Sequence, residues 1–157
     1  MDGDIFEEDT MTLERILGYS FSDKNLLNRA LTRKAYALEQ KQRNQGCEDQ
    51  EIFSTLGDAV LKAVLTDILI KSGCKTSDEI TSKRQALESE EPLARISQGF
   101  GIGQFIKLGA GEKKQKANEK PSVLAETLEA LIGAIYLDGG YDASKDVITK
   151  WFKNFFA

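Results

Sequence analysis

The chain contains no histidine. That absence excludes Ser-His and Cys-His catalytic pairs and removes the commonest zinc ligand. Acid-base or metal chemistry must then come from carboxylates, lysines, tyrosines or bound water. Cysteine is nearly absent too: Cys47 and Cys74 match no metal-binding spacing. No export signal is read, so both are taken as reduced thiols. The longest apolar stretch is interrupted by Lys62, Asp67 and Lys71, so no segment has the pattern of a membrane span. The N-terminal MDGDIFEED is acidic and lacks the apolar core of a secretion signal. A soluble, cytoplasmic protein is therefore expected, with no membrane partner.

What is present is ordinary globular composition. With 157 residues, 41% hydrophobic and 29% charged, the chain suits one domain able to bury a core without covalent staples. The formal net charge of −4 argues against indiscriminate binding to nucleic acid. It leaves room for a local basic surface, and an acidic cation-holding site would itself lower the total.

Hydrophobic spacing is helical nearly throughout. Residues 1–9 are expected to form a disordered acidic arm and residues 10–157 a helical domain. Leu13, Ile16 and Leu17 recur at helical spacing before Gly18. Ser22 is expected to cap a second helix bearing Leu26, Leu27, Ala30 and Leu31, and a third covers Lys34 to Leu38. Residues 39–49 read as an exposed loop. A long helix is expected from about Gln50 to Ser72, stopped by Gly73. Thr76 and Glu79 form a capping-box pattern for the next helix, and Ser89 with Pro92 opens another. GEKKQKANEKP reads as a basic polar loop. Pro121 and Ser122 open a strongly apolar helix ending at Gly139 and Gly140, and a last helix carries Val147, Ile148, Trp151, Phe152 and Phe155. No convincing strand is found, so the expected fold class is all-α, a single compact helical domain. GFGIGQF lacks the preceding strand of a dinucleotide site, and the aromatic end of the last helix is read mainly as core.

Two helices concentrate the candidate chemistry. TLGDAVLKAVL holds Asp58 among apolar residues; SVLAETLEALIGAIYLD holds Glu126 and Glu129. These are the most apolar helices, hence the expected centre of the fold, where carboxylates are costly unless paired or metal-bound. Glu126 and Glu129 are three apart and share a helix face. If Asp58 faces them, mutual repulsion raises their pKa values or recruits a hard cation such as Mg²⁺. On residue types alone, structural ion pairs with a base such as Arg33 or Arg84 are the preferred reading.

Several motifs in order resemble the ribonuclease III family: LLNRALTRKAYALE, LGDAVL, SKRQALESEEPLARIS, GIGQFIKLGAGE and LAETLEALIGAIYLDGGY. The likeness runs from about Leu13 to Phe152 and implies that family's endonuclease domain. It implies Asp58 and Glu129 as catalytic carboxylates, and Asp58, Glu126 and Glu129 as ligands for Mg²⁺ or Mn²⁺. Glu126 stands where the family usually has aspartate. Ser54 stands at the position of a family glutamate and brings no charge. Thr55 replaces a phenylalanine that packs across the family's dimer interface, which weakens dimerisation by that mode; Phe53 beside it offers some apolar contact but points to a different side of the helix. Glu51 shares a face with Asp58 about two turns away, too far to share one metal directly; a solvated acid in the first turn is the reading preferred for it.

The resemblance also implies an activity: metal-assisted hydrolysis of double-stranded RNA by a homodimer, in which bound metal activates water and stabilises the leaving 3′ oxygen. Lys113, Lys114, Lys116 and Lys120 are candidate phosphate contacts, against the plainer reading of a solvated lysine-rich loop. The segment read carries no double-stranded-RNA-binding domain, so weak RNA affinity or a separate RNA-binding partner is expected. The alternative function is a catalytically impaired module that keeps the fold and binds RNA or a protein partner; Ser54 favours it, while the three retained acids favour the enzyme.

Overall fold

In the computed structural model, which describes residues 7–156, the chain is a set of helices built around one long pair. In order these are α1 (Glu7–Leu17), α2 (Lys24–Ala30), α3 (Lys34–Gln42), α4 (Glu51–Lys71), α5 (Ser77–Glu88), α6 (Glu90–Phe100), α7 (Ala110–Lys114), α8 (Pro121–Trp151) and α9 (Lys153–Phe156). Single 3₁₀ turns lie at Ile102–Phe105 and Ala117–Glu119. Among the described residues there is no β-strand, only an isolated bridge between Thr32 and Lys107. No described helix is long and apolar enough to cross a membrane.

The reason for this layout is the apolar content of α4 and α8, which pack on each other more extensively than any other two elements. Leu61, Val64 and Leu65 from α4 and Leu128, Leu131, Ile132 and Ile135 from α8 are wholly buried. Each such side chain contributes on the order of 2 kcal/mol. Around this pair, α6 covers one side through Leu93 and Ile96, and α1 and α2 contribute Leu13, Leu17 and Leu27. Trp151 closes the bottom of the core and donates its indole N–H to the Leu17 carbonyl at 2.9 Å.

The local signals act largely as expected. Thr76 accepts the Glu79 amide at 3.1 Å and caps α5. Pro121 occupies the first turn of α8. Gly140, at φ +84°, breaks α8 into the apolar helix and the aromatic-bearing one. Four boundaries differ. Residues 7–9 belong to the first turn of α1, where acids suit the positive helix end; residues 1–6 of the expected arm lie outside the described residues. The cap of α2 is Asp23, not Ser22, because its carboxylate reaches the Asn25 amide at 2.9 Å. The loop expected from residue 39 begins later, as α3 continues to Gln42. The lysine-rich stretch is not a plain loop: α7 forms within it, since Glu112 folds back to accept the Gly109 amide.

Candidate active site

The crossing of α4 and α8 sets the spacing of the candidate residues. Gly57 and Gly133 lie at the contact, where the missing side chains let the two backbones touch. Asp58 follows Gly57 directly, and Glu129 lies one turn before Gly133. Their carboxyl groups therefore approach each other across the interface, close enough for each to perturb the other's titration. Burial pushes Glu129 up to about 8, helped by the hydrogen bond to Asp58 and by that neighbour's charge; Lys62 opposes this and Glu126 adds to it. Burial acts on Asp58 in the same direction. Hydrogen bonding with Lys62 and Glu129 outweighs it, and Asp58 is held below the ordinary carboxylate range. The two carboxyls are thus driven apart in acidity, Glu129 upward and Asp58 downward.

The charge of Asp58 is met by Lys62, one turn along α4. Its ammonium donates to both carboxylate oxygens, at 2.9 and 2.8 Å. The same ammonium lies 3.5 Å from Glu88 at the end of α5. Spacing four apart on a helix was the available signal for this partner, but sequence reasoning had treated Lys62 only as a break in an apolar run.

Glu126 stands apart from this pair. Its carboxylate accepts from Arg33 at 3.1 Å, so of the two bases weighed from the sequence Arg33 is the one engaged; Arg84 lies against Glu88. Arg33 also contacts Glu112 of α7 and the Gln50 side-chain oxygen, each at 3.1 Å. Gln50, buried at the start of α4, in turn donates to the Ala30 carbonyl at 2.7 Å and to Thr127 at 3.3 Å. Neither Gln50 nor Glu112 was singled out from the sequence; only the tertiary arrangement brings them to Arg33.

Ser54 points at the backbone of α8. Its hydroxyl donates to the Glu126 carbonyl at 2.8 Å, which ties the two helices one turn from the acid pair. Glu51 is exposed and pairs with Lys34 at 3.2 Å, in agreement with the solvated reading. Phe53 is buried beneath the Arg29 guanidinium, 4.6 Å from its ring centre. It belongs to this chain's own core, on a different side of the helix from Thr55 as expected, and supplies no outward apolar contact. Thr55 is exposed, on the same face as exposed Ile52 and Ala59. Lys113, Lys114, Lys116 and Lys120 are all exposed around α7 and the 3₁₀ turn after it. Lys113 and Lys114 directly follow Glu112, so this basic rim adjoins the acidic centre through Arg33.

The donor set suits a hard divalent cation in kind: oxygen ligands on two rigid helices, with a carboxyl pair so crowded that it keeps a proton. In the arrangement present, Lys62 and Arg33 supply the positive charge. Among the described residues no three acidic or sulfur ligands are gathered closely enough to hold an ion. The residues therefore fit such a cation if it takes the place of these two bases.

An all-helical domain with two facing acid-bearing helices defines the class. The chain belongs to the ribonuclease III-like family, whose model matches residues 23–155. Ribonuclease 3 of Pseudomonas fluorescens is 39% identical over 140 residues, 88% of this chain and 57% of the relative. Ribonuclease 3 of Streptomyces coelicolor is 40% identical over 141 residues, 89% of this chain and 49% of the relative. The chain thus spans about half the length of such curated relatives. A solved nuclease domain of ribonuclease III from Campylobacter jejuni, with structural flexibility in a region involved in its dimer formation, superposes with a TM-score of 0.83 at 34% identity. That match covers 93% of this chain and 98% of the other. A second structure of that nuclease domain gives 0.81 at 34% identity, over 92% and 95% of the two chains.

Proposed function

We propose that this domain is a divalent-metal-dependent endoribonuclease acting on double-stranded RNA, working in the cytoplasm as a homodimer. The observation that supports this reading most is the Asp58–Glu129 pair, two carboxyls pressed together at the centre of a nuclease-type fold. Asp58, Glu126 and Glu129 are the proposed ligands of Mg²⁺ or Mn²⁺, with Asp58 and Glu129 the catalytic pair. When bound, such an ion supplies an activated water and offsets charge building on the scissile phosphate. Asp58, Glu129 and Glu126 would hold the ion through their carboxylates, Glu129 in its ionised form and Glu126 released from Arg33. Ser54 then holds the register of the two helices and adds no charge. Lys113, Lys114, Lys116 and Lys120 supply phosphate contacts. The exposed Ile52, Thr55 and Ala59 face of α4 is the proposed dimer contact; a polar residue at its middle makes that contact weak, with dissociation expected at low protein concentration.

Long double-stranded RNA incubated with the protein and Mg²⁺ or Mn²⁺ tests this. Cleavage abolished by Asp58→Asn supports the proposal; RNA cut equally well by Asp58→Asn ends it.

A second reading is favoured by the engagement of Glu126 with Arg33 and of Ser54 with a backbone carbonyl. On it, the domain is one ligand short of activity and serves as a binding module for RNA or for a protein partner. No cleavage by the native chain, with activity gained in Ser54→Glu, distinguishes this reading from the first.

A further inference from the structure

A buried carboxylate oxygen normally has a hydrogen-bond partner. Glu88 is an exception. Only 11% of its side chain is exposed, and its Oε2 has no hydrogen-bond partner. The Arg84 Nε facing that oxygen, at 3.6 Å, has none either, although the same guanidinium donates to Thr66 at 3.2 Å. The other Glu88 oxygen lies 3.5 Å from the Lys62 ammonium. Glu88 is thus an under-satisfied anion beside a lysine committed, at shorter distance, to Asp58. The charges alternate in a row from α8 to α5: the Glu129–Asp58 pair, Lys62, Glu88, Arg84.

We propose that Lys62 is a two-position counter-ion for the acidic centre, holding Asp58 in the present arrangement and transferring to Glu88 when a divalent cation takes Asp58. The inference rests on the cation-binding reading above and adds two positioning residues to it. Lys62 has four rotatable bonds and its side chain is 42% exposed, so a small rotation closes the gap to Glu88 without disturbing the helices. Glu88, being buried, is fixed; it keeps the displaced ammonium from remaining beside the incoming cation, where like charges would repel. A lysine with no second carboxylate would compete with the cation for Asp58 alone.

The test is calorimetric titration of the intact protein with Mn²⁺, alone and without RNA. Lys62→Met removes the competing charge and tightens Mn²⁺ binding about two- to fivefold, the scale expected of one partly exposed ion pair. Glu88→Gln leaves Lys62 with Asp58 as its sole acceptor and weakens Mn²⁺ binding several-fold. In the Lys62→Met background, Glu88→Gln has little further effect, because Glu88 acts through the lysine. A merely structural role would lower thermal stability in both variants without moving their affinities in opposite directions. Mn²⁺ affinity unchanged or lower in Lys62→Met overturns the proposal, as does an equal Glu88→Gln effect in both backgrounds. Absence of Mn²⁺ binding by every variant, with Asp58→Asn no different from its parent, overturns the cation reading itself and this inference with it.

Discussion

Gly57 and Gly133 face each other where α4 crosses α8, each against the backbone of the opposite helix. A methyl group added at Gly57 would overlap the Glu129 carbonyl, and one at Gly133 the Phe53 carbonyl. Both collisions are with backbone, which cannot rotate away. The helices can approach closely enough to join Asp58 to Glu129 only because these positions lack a side chain.

Gly57→Ala should therefore be destabilising despite the better helix propensity of alanine. Propensity contributes about 1 kcal/mol in favour of alanine, whereas forcing two packed helices apart costs about 3 kcal/mol or more. Gly99, in α6, has nothing within 4 Å of an added methyl. Gly99→Ala should gain a few tenths of a kcal/mol to about 1. Urea denaturation of the two variants checks the opposite signs; Gly57→Ala as stable as its parent would mean that the helices do not pack as closely as described.

Ser54→Ala removes the hydroxyl that donates to the Glu126 carbonyl and leaves the rest of the packing intact. A loss of about 1 kcal/mol is expected from one partly buried neutral hydrogen bond. Ser54→Cys, a weaker donor, should recover only part of it. Thermal melts of the two variants beside the parent decide this, and an unchanged melting temperature in Ser54→Ala would show that the serine does not tie the helices.

Arg33 joins three parts of the chain: Glu112 on α7, Gln50 at the start of α4 and Glu126 on α8. Its guanidinium is largely buried, while Glu126 is nearly half exposed. Glu112 is the better buried of its two anions, so most of the loss in Arg33→Met should come from leaving that carboxylate unpaired. About 2 kcal/mol is the expected scale for charge-assisted hydrogen bonds in this setting. Amide exchange should also accelerate in α7, because the arginine anchors that short helix to the body. Exchange confined to other helices would argue against the anchoring role.

These couplings mark what the sequence could and could not disclose. Apolar spacing exposed α4 and α8 as the centre, and the cap at Thr76 and the break at Gly140 were legible because each is decided within a few residues. Ordered motifs carried the family. Arg33 was weighed as a partner for the acids, but which acid it meets, and its contacts with Gln50 and Glu112, were not legible, since these residues are distant in sequence and meet only in three dimensions. Lys62 was an exception: its spacing from Asp58 was available, but periodicity drew attention to its apolar neighbours. Phe53 was only half legible, its side of the helix but not its burial. A phenylalanine near the start of α4 suits an interface or a core equally well, and only the position of Arg29 over its ring decides for the core.

Stability should fall as pH rises through the neutral range when divalent cations are chelated. Glu129 has its folded value pushed up to about 8 from an ordinary 4.5, chiefly by burial and then by Asp58. Below the ordinary value both folded and unfolded chains hold the proton, and the contribution is fully present. Between the two values the unfolded chain releases a proton that the folded chain keeps, so folding is progressively disfavoured until the folded group also ionises. Asp58, held low, acts in the opposite sense and only at acid pH: its contribution is present above the ordinary aspartate value and is lost as pH falls through the folded one. Urea denaturation at about pH 5, 6.5 and 8 with EDTA present reads the Glu129 effect in a window where Asp58 contributes no slope. Glu129→Gln, which mimics the protonated form, should flatten the profile, and Asp58→Asn should reduce its slope by removing the neighbouring charge. A parent profile already flat from about pH 5 to 8 would mean that the two carboxyls do not share a proton, and the crowding invoked to attract a cation would lose its basis.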